Sequence, residues 1–491
     1  MENYNKYFQL PLTDQQKKVF KALCDFVQNP CGKIFILRGY AGTGKTTLIG
    51  GFIKKLNEEA ENTNCPFQVL ASTGRAAKIL SDKTDAEVKT IHSLVYKYTD
   101  LSDDVDKYLE ETGNTSEQVT DAKGQFLLVF EPQTYLGERK MLYIADEASM
   151  VSDKKNPSTS NAVFGEGDLL GDLFRYDKKG KYIFVGDPCQ LPPVNQKESP
   201  ALEPDYLRNR YKMNVEVYTL TEILRQKEDN DILQCAFNLR KLWNICKSKI
   251  NDKQGFTPLP LKGFKNIKVH YSEIDLVTRY VELVKQKGYD YTTLICNSNK
   301  ECNALSTFVR ESIHGKREHI IVEDLLLVTQ NNYSVDLVNG DIVVVKWIGE
   351  REYRAGMRFV NVEVEELSSK KNYRLLLLED LLMNGQANLN EQQHKNMIID
   401  FAQRMWKRKI KSKTKQFNEM MMEDPYLNAL RATYGYALTC HKSQGGEWNE
   451  VFLYLERSLY ARRGTEFYQW AYTAVTRAKD FLHIADNWLV K

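Results

Sequence analysis

Residues 33–47 read KIFILRGYAGTGKTT, an apolar run that breaks into a glycine-rich turn and then into a helical start. Ile34, Phe35, Ile36 and Leu37 form a buried-strand run, and Thr47, Leu48 and Ile49 continue the chain without proline. Between them Gly39, Gly42, Gly44, Lys45 and Thr46 fit G-x-x-x-x-G-K-[ST], with Thr43 inside the loop and Thr47 just after it. In that loop backbone N–H groups cradle phosphates while the lysine and the hydroxyl reach phosphate and Mg²⁺. The glycines permit positive φ and close approach of the anion, which the N-terminus of the following helix also attracts. The fold this dictates is α/β, with a parallel sheet built outward from the strand.

Upstream, Thr13 and Asp14 are cap candidates for an amphipathic helix over 13–27, with Val19, Phe20, Leu23, Cys24 and Val27 on one face. Spacing alone reads Gln16 as solvent-exposed, although its amide has the paired donor and acceptor that an adenine edge needs. Downstream, the short strand Phe67 to Ser72 ends in Thr73, Gly74 and Arg75, small and basic residues where a doubly wound sheet places ligand contacts. His92 follows a second strand-to-helix transition on the same presumed edge. The strand Met141 to Ala145 delivers Asp146 and Glu147 about one hundred residues after the phosphate loop. Adjacent acids at a strand end point in opposed directions, so one can hold Mg²⁺ while the other faces an attacking water. The next strand, Tyr182 to Val185, ends in GDPCQLPP, where Gln190 can sense a γ-phosphate. Arg225 reads either as one more exposed arginine or as a cationic finger.

The remaining segments change in character. Residues 99–139 are acidic and polar before a compact run from Phe126 to Phe130, which suggests a small insertion; residues 152–180 read as a polar connection. A linker with helical pieces is expected over 227–265, and a second α/β unit starts near Asp275. β-Branched stretches after Asn339 and Gly340 read as a β-rich insertion, followed by a Gln-, Asn-, Met- and Lys-rich helical stretch at 386–424. Within it Lys407, Arg408, Lys409, Lys411, Lys413 and Lys415 form the densest basic run, either a solvated helix face or a set of phosphate contacts.

At 491 residues the chain is too long for one core, and a net charge of +3 leaves any nucleic-acid binding to local basic grooves. Nine cysteines without a C-x-x-C pair argue against a disulfide framework and a zinc site. No apolar signal core opens the chain and no stretch reaches the ~18 apolar residues of a membrane span. A cytoplasmic protein associated with a bacterial or phage nucleoid, with no membrane partner, is the expectation.

In order, the blocks LTDQQ, GYAGTGKTT, STGRAAK, TIHS, DEAS, GDPCQLPPV, LTEILRQ, LTCHKSQGGEW and YTAVTRAK make the sequence resemble the superfamily 1 (1B) DNA helicases, in their RecD-like and Dda-like branch. Ser72 and Gly446 depart from the pattern, standing where proline and serine are frequent. The resemblance implies two RecA-like parallel-sheet motor domains with a small insertion in each. The first motor would span 1–95 and 140–228, with a pin or hairpin insertion at 96–139. The second would span 229–339 and 430–491, with an SH3-like and helical insertion at 340–429. Phe126 and Phe130 would be candidates for the apolar pin tip.

By position, the resemblance assigns adenine to Gln16, the β- and γ-phosphates to Lys45, and Mg²⁺ to Thr46 and Asp146. Glu147 would orient and deprotonate the hydrolytic water, Gln190 would sense the γ-phosphate, Arg225 and Arg477 would be arginine fingers, and Glu447 would hold the ribose. DNA would lie along Thr73, His92, Thr439, His441 and Ser443. The implied activity is ATP-dependent, Mg²⁺-assisted 5′ to 3′ translocation on single-stranded DNA with unwinding of duplex DNA, in replication, repair or recombination. Without a long N-terminal domain of the kind larger RecD-like proteins carry, the chain reads as a stand-alone, monomeric motor. Two alternatives stay open: an RNA helicase of the same superfamily, and a nucleotide-switched binding or remodelling factor with little unwinding.

Overall fold

Every residue of the strand Ile34–Gly39 except Arg38 is buried, as the apolar run demands of a strand covered on both faces. It lies inside a six-stranded parallel sheet in the order Val88–Thr90, Phe67–Ala71, Leu142–Asp146, Lys181–Gly186, Ile34–Gly39, Val215–Leu220. Ile36 stands opposite Phe184 on one side and Val217 on the other, so Gly39, Asp146 and Gly186 end on one edge. The computed structural model describes residues 4–59, 66–84, 86–111, 126–154, 162–223, 230–248, 258–332, 334–462 and 464–491. The helix Asp14–Gln28 opens on a capping box, Thr13 with Gln16, and buries Val19, Phe20, Leu23 and Phe26.

A second parallel sheet has the order Ile267–His270, Ala478–Ala485, Trp448–Leu453, Thr292–Cys296, Leu438–Thr439. Together the two sheets and their helices make two RecA-like domains. Most of the expected linker at 227–265 belongs to the second one: Ile232–Ser248 is a helix whose Ile232, Cys235, Leu239 and Trp243 join the core around Trp470. Its Lys- and Asn-rich outer face hides an apolar stripe at three- and four-residue spacing. Beside this core Cys296 and Cys302 are paired as a disulfide.

The first insertion is a three-stranded sheet of Tyr96–Leu101, Leu128–Pro132 and Ala162–Phe164. The last strand comes from the stretch read as a polar connection, and so does the helix Leu169–Tyr176, capped by Asp168. A three-residue strand is too short to show a period, so it had no signature in the sequence. In the second half a five-stranded antiparallel sheet, Asn372–Leu378, Met357–Glu366, Ile342–Arg354, Leu325–Val328 and Ala432–Tyr434, reaches beyond residues 340–429 at both ends.

The two insertions meet. Ile398, Ile399, Phe401, Met405, Phe417 and Met421, on the helices Glu391–Lys407 and Lys415–Glu423, pack against Leu101, Val105, Leu109 and Phe126. Asn418 Nδ2 donates to Thr99 O at 2.9 Å, and His394 Nε2 lies 3.0 Å from Phe126 O. Neither aromatic expected at a pin tip is at one: Phe126 sits in this contact, and Phe130 stacks on Phe164 at 4.6 Å. Burying rings of this size stabilises by about 2 kcal/mol each, more than an exposed tip returns. Residues 112–125, between the two strands, lie outside the described residues.

Candidate functional site

The phosphate loop leaves its strand through Gly42 and Gly44, both with positive φ (78° and 79°). A Cβ on Gly39 would fall 2.6 Å from Lys45 Cγ, so only glycine lets the lysine fold back over the loop. Lys45 Nζ donates to Tyr40 O at 3.1 Å, a neutral acceptor that a phosphate oxygen outcompetes. Thr43 Oγ1 donates to the same carbonyl at 2.8 Å. Thr46 and Thr47 lie in the first turn of the helix Lys45–Glu59. Gln16 is buried, contrary to the reading from spacing: its oxygen accepts the Thr13 N–H at 3.1 Å and its Nε2 is 3.4 Å from Thr43 O.

Asp146 is buried at its strand end, and its Oδ1 accepts the Glu147 N–H at 2.9 Å. Glu147 takes the left-handed conformation (φ 50°), a strain characteristic of functional positions. Burial, and then the Glu147 carboxylate, raise the Asp146 pKa, while Lys45 opposes the shift. Asp187 is raised by burial and also feels Lys45 and Glu147, so these groups share one small volume. The buried Gln190 Oε1 has no hydrogen-bond partner among the described residues. Two destabilised carboxylates, a lysine and an orphaned amide oxygen fit a nucleotide phosphate with a divalent cation, whose charge would lower both carboxyl pKa values.

The second domain grips the loop that carries Gln190. On the helix Thr465–Val475, Gln469 Nε2 donates to Gln190 O at 3.2 Å and Thr473 Oγ1 accepts the Leu191 N–H at 3.0 Å. Tyr472, between them, donates to Asp187 Oδ2 at 2.7 Å and accepts the Ala41 N–H of the phosphate loop at 2.8 Å. Arg477 is turned inward, with Nε donating to Thr473 O at 3.0 Å and Nη1 to Gly446 O at 3.2 Å. Glu447 is exposed one residue further on. Arg225 lies outside the described residues.

A cavity of about 1210 Å³ runs between the domains and both insertions, and Thr73, His92 and His441 line it. Thr439 and Ser443 lie beneath that lining, where Ser443 Oγ donates to Cys440 O at 2.8 Å. His92 is open to the cavity yet crowded by protein, and burial lowers its pKa to about 4; burial and Arg462 do the same to His441. The lining includes two cations: Arg75, at the strand end where ligand contacts were expected, and Lys442, which was not singled out in the sequence. Burial lowers both their pKa values, and Lys442 Nζ has no hydrogen-bond or ion-pair partner among the described residues. Arg75 lies over the Trp448 ring at 5.2 Å, and its Nη1 reaches only Gly340 O, at 3.4 Å. Asp341 and Glu366 partly offset the burial of Arg75, whereas Lys442 is desolvated with no such compensation, which fits an anionic ligand. In the basic run only Lys415 lines the cavity.

Comparison with known proteins matches residues 11–242 to the AAA domain family model and residues 434–485 to the UvrD-like helicase C-terminal domain. An uncharacterized protein of Acanthamoeba polyphaga mimivirus is 22% identical over 542 residues, covering 95% of this chain and 98% of that one. Another, of Methanocaldococcus jannaschii, is 24% identical and covers 94% of this chain, which spans 37% of its length. Among solved structures, one of two coordinating Pif1 helicases in DNA unwinding at forked dsDNA aligns with a TM-score of 0.50 at 15% identity, over 98% of this chain and 94% of that one. A Bacteroides Pif1 in complex with ADP-AlF3 and ssDNA aligns at 0.44 and 16% identity, over 98% and 93%. Among the described residues no helix is long and apolar enough to cross a membrane.

Proposed function

Because the chain belongs to the superfamily 1 helicases, nucleotide-binding ATP-driven enzymes that act on nucleic acid, we propose that it is a DNA helicase that moves 5′ to 3′ along a single strand and opens duplex DNA ahead of it. The observation that carries this reading is the cavity lined by both domains, with Thr73 and His92 from the first and His441 and Lys442 from the second. The phosphate loop and the grip of the helix Thr465–Val475 lie between the same two domains. A change in their closure with each nucleotide therefore changes the spacing of the two halves of the lining. The direction and the choice of DNA rest on the RecD-like blocks of the sequence.

In the proposed site Gln16 holds the adenine, with Gly39, Gly42, Thr43, Gly44 and Thr47 shaping the cradle and Glu447 on the ribose. Lys45 binds the β- and γ-phosphates and Gln190 senses the γ-phosphate. Thr46 and Asp146 would hold Mg²⁺, which supplies charge neutralisation on the phosphate oxygens when bound. Glu147 takes the proton of the attacking water. Arg225 and Arg477 offset charge that develops in transfer, an effect worth ~10³ or more in rate for such fingers. Arg477 would first have to exchange its carbonyl partners for phosphate. Thr73, His92 and His441 meet the strand, and Thr439 and Ser443 hold the turn beneath it.

The test is unwinding of matched duplexes with a 5′ tail, a 3′ tail or none, on a DNA or an RNA loading strand, with ATP and Mg²⁺. Opening confined to the 5′-tailed DNA loading strand is expected. Opening from the 3′ tail overturns the polarity, preference for RNA overturns the substrate, and hydrolysis without opening overturns the unwinding.

A further inference from the structure

The helix Ile232–Ser248 has two working faces. One is the apolar stripe buried in the core of the second motor. The other carries Leu233, Arg240 and Lys247, which are seven residues apart and so fall on one line along the helix. Each of them meets the first motor. Leu233 Cδ1 lies 3.3 Å from where a Cβ on Gly42 would stand, and Arg240 Cζ lies 3.8 Å from the centre of the Tyr40 ring. Lys247 Nζ pairs with Glu203 at 3.1 Å and with Glu198 at 3.3 Å. With Tyr472 bonded to Ala41, three consecutive residues of the phosphate loop are each touched by the second motor.

Arg240 differs from its neighbours on that line. Its guanidinium faces two rings, Tyr40 across the domain boundary and Phe237, three residues back on its own helix, at 4.6 Å. No carboxylate is bonded to it among the described residues. A guanidinium is weakly hydrated and stacks on aromatic faces, which suits it to this half-buried place. An arginine on a tyrosine would stabilise any interface, but this tyrosine has a second attachment. Its ring packs against the core of the second motor, while its carbonyl accepts both Lys45 Nζ at 3.1 Å and Thr43 Oγ1 at 2.8 Å. Ring and carbonyl hang from one Cα, so a shift of the ring carries the carbonyl with it.

We propose that Arg240 is a positioning residue for nucleotide hydrolysis: by holding the Tyr40 ring it sets the carbonyl that locates Lys45, and so ties that lysine to a helix of the second motor. The proposal rests on the reading of Lys45 as the lysine that meets the phosphates. A strand that changes the spacing of the two motors moves the helix, and the helix moves the phosphate loop. Strand binding thereby adjusts the nucleotide site although no group of the channel touches it.

The experiment measures ATP turnover by the full chain, with kcat and KM separated, in the absence and presence of a single-stranded DNA oligonucleotide. The variants are Arg240→Gln, Arg240→Lys and Tyr40→Leu, with each Arg240 change repeated on the Tyr40→Leu background and a thermal melt of every protein. Arg240→Gln is expected to cut the stimulation by the strand about fivefold or more, and Arg240→Lys, which keeps the charge without the planar fork, by less. On the Tyr40→Leu background neither change should matter further, because the contact is already gone. Stimulation unchanged in Arg240→Gln, or losses that multiply with that of Tyr40→Leu, overturns the proposal. So does a lowered melt in Arg240→Gln with no selective loss of stimulation, which is a structural role alone. The Arg240→Lys pair gives the same decision where Arg240→Gln does not fold. Turnover that survives Lys45→Ala overturns the reading of the site, and the positioning role with it.

Discussion

The phenol of Tyr472 hydrogen-bonds the carboxylate of Asp187 at 2.7 Å across the boundary between the two motor domains. Both groups are buried, and the same oxygen accepts the N–H of Ala41 at 2.8 Å, so one hydroxyl joins the phosphate loop, the Gln190 loop and the second motor. Burial and the Asp187 charge raise the phenol's pKa, which keeps it protonated and donating.

Tyr472→Phe keeps the ring and removes that junction, leaving a buried carboxylate and an N–H with no phenol to meet. An unsatisfied buried group costs about 1–3 kcal/mol. The expected outcome is a melting temperature lower by several degrees and a reduced stimulation of ATP turnover by single strands, read by thermal melts and a coupled ATPase assay.

Lys45→Ala should abolish ATP turnover, by more than about a hundredfold, with the fold intact by circular dichroism. The lysine lies over Gly39 on the protein surface of the loop, so its loss opens no core. Turnover within a few-fold of the unaltered protein would sink the assignment of the site.

Lys442→Ala should weaken single-strand binding and flatten its salt dependence by about 0.7 units of slope, one phosphate contact. Lys407, Arg408, Lys409 and Lys411 are exposed and border no part of the cavity. Replacing all four by alanine is expected to leave the slope where it was. Salt titrations of both variants, side by side, decide between the cavity and the basic run as the phosphate track.

His394 makes the contact between the insertions sensitive to acid. Burial, and then Arg431, lower its pKa to about 4 against the pull of its Phe126 carbonyl partner. The unfolded chain, with a histidine near 6.5, therefore takes up the proton first. Stability is complete above about pH 6.5 and falls as the pH drops towards 4, by up to about 3 kcal/mol. Melts from pH 7.5 to 4.5 should show a smaller acid loss for His394→Gln, whose amide can still donate to the carbonyl.

The fold class was legible because buried parallel strands announce themselves: Ile34 to Leu37, Met141 to Ala145 and Tyr182 to Val185 are unbroken apolar runs ending in polar loops. The phosphate loop and the acid pair were legible because their chemistry needs fixed local spacing. Tyr472 was passed over since its partners, Ala41 and Asp187, are 431 and 285 residues away in the chain. Likewise no local period links Tyr98, Phe130 and Phe164; strand register alone makes them neighbours. Gln16 was misread because a capping amide at the third helical position looks, in sequence, like any polar residue on an outer face.

The apolar contact that joins Phe126 and Val105 to Ile398 and Phe417 completes a circuit. Each insertion is covalently continuous with its own motor, the motors touch through the helix Thr465–Val475, and the insertions touch each other, so the cavity lies inside a closed belt of protein. A polymer threaded through such a belt is retained by topology as well as by affinity: it leaves by sliding off an end, or when the belt unbuckles.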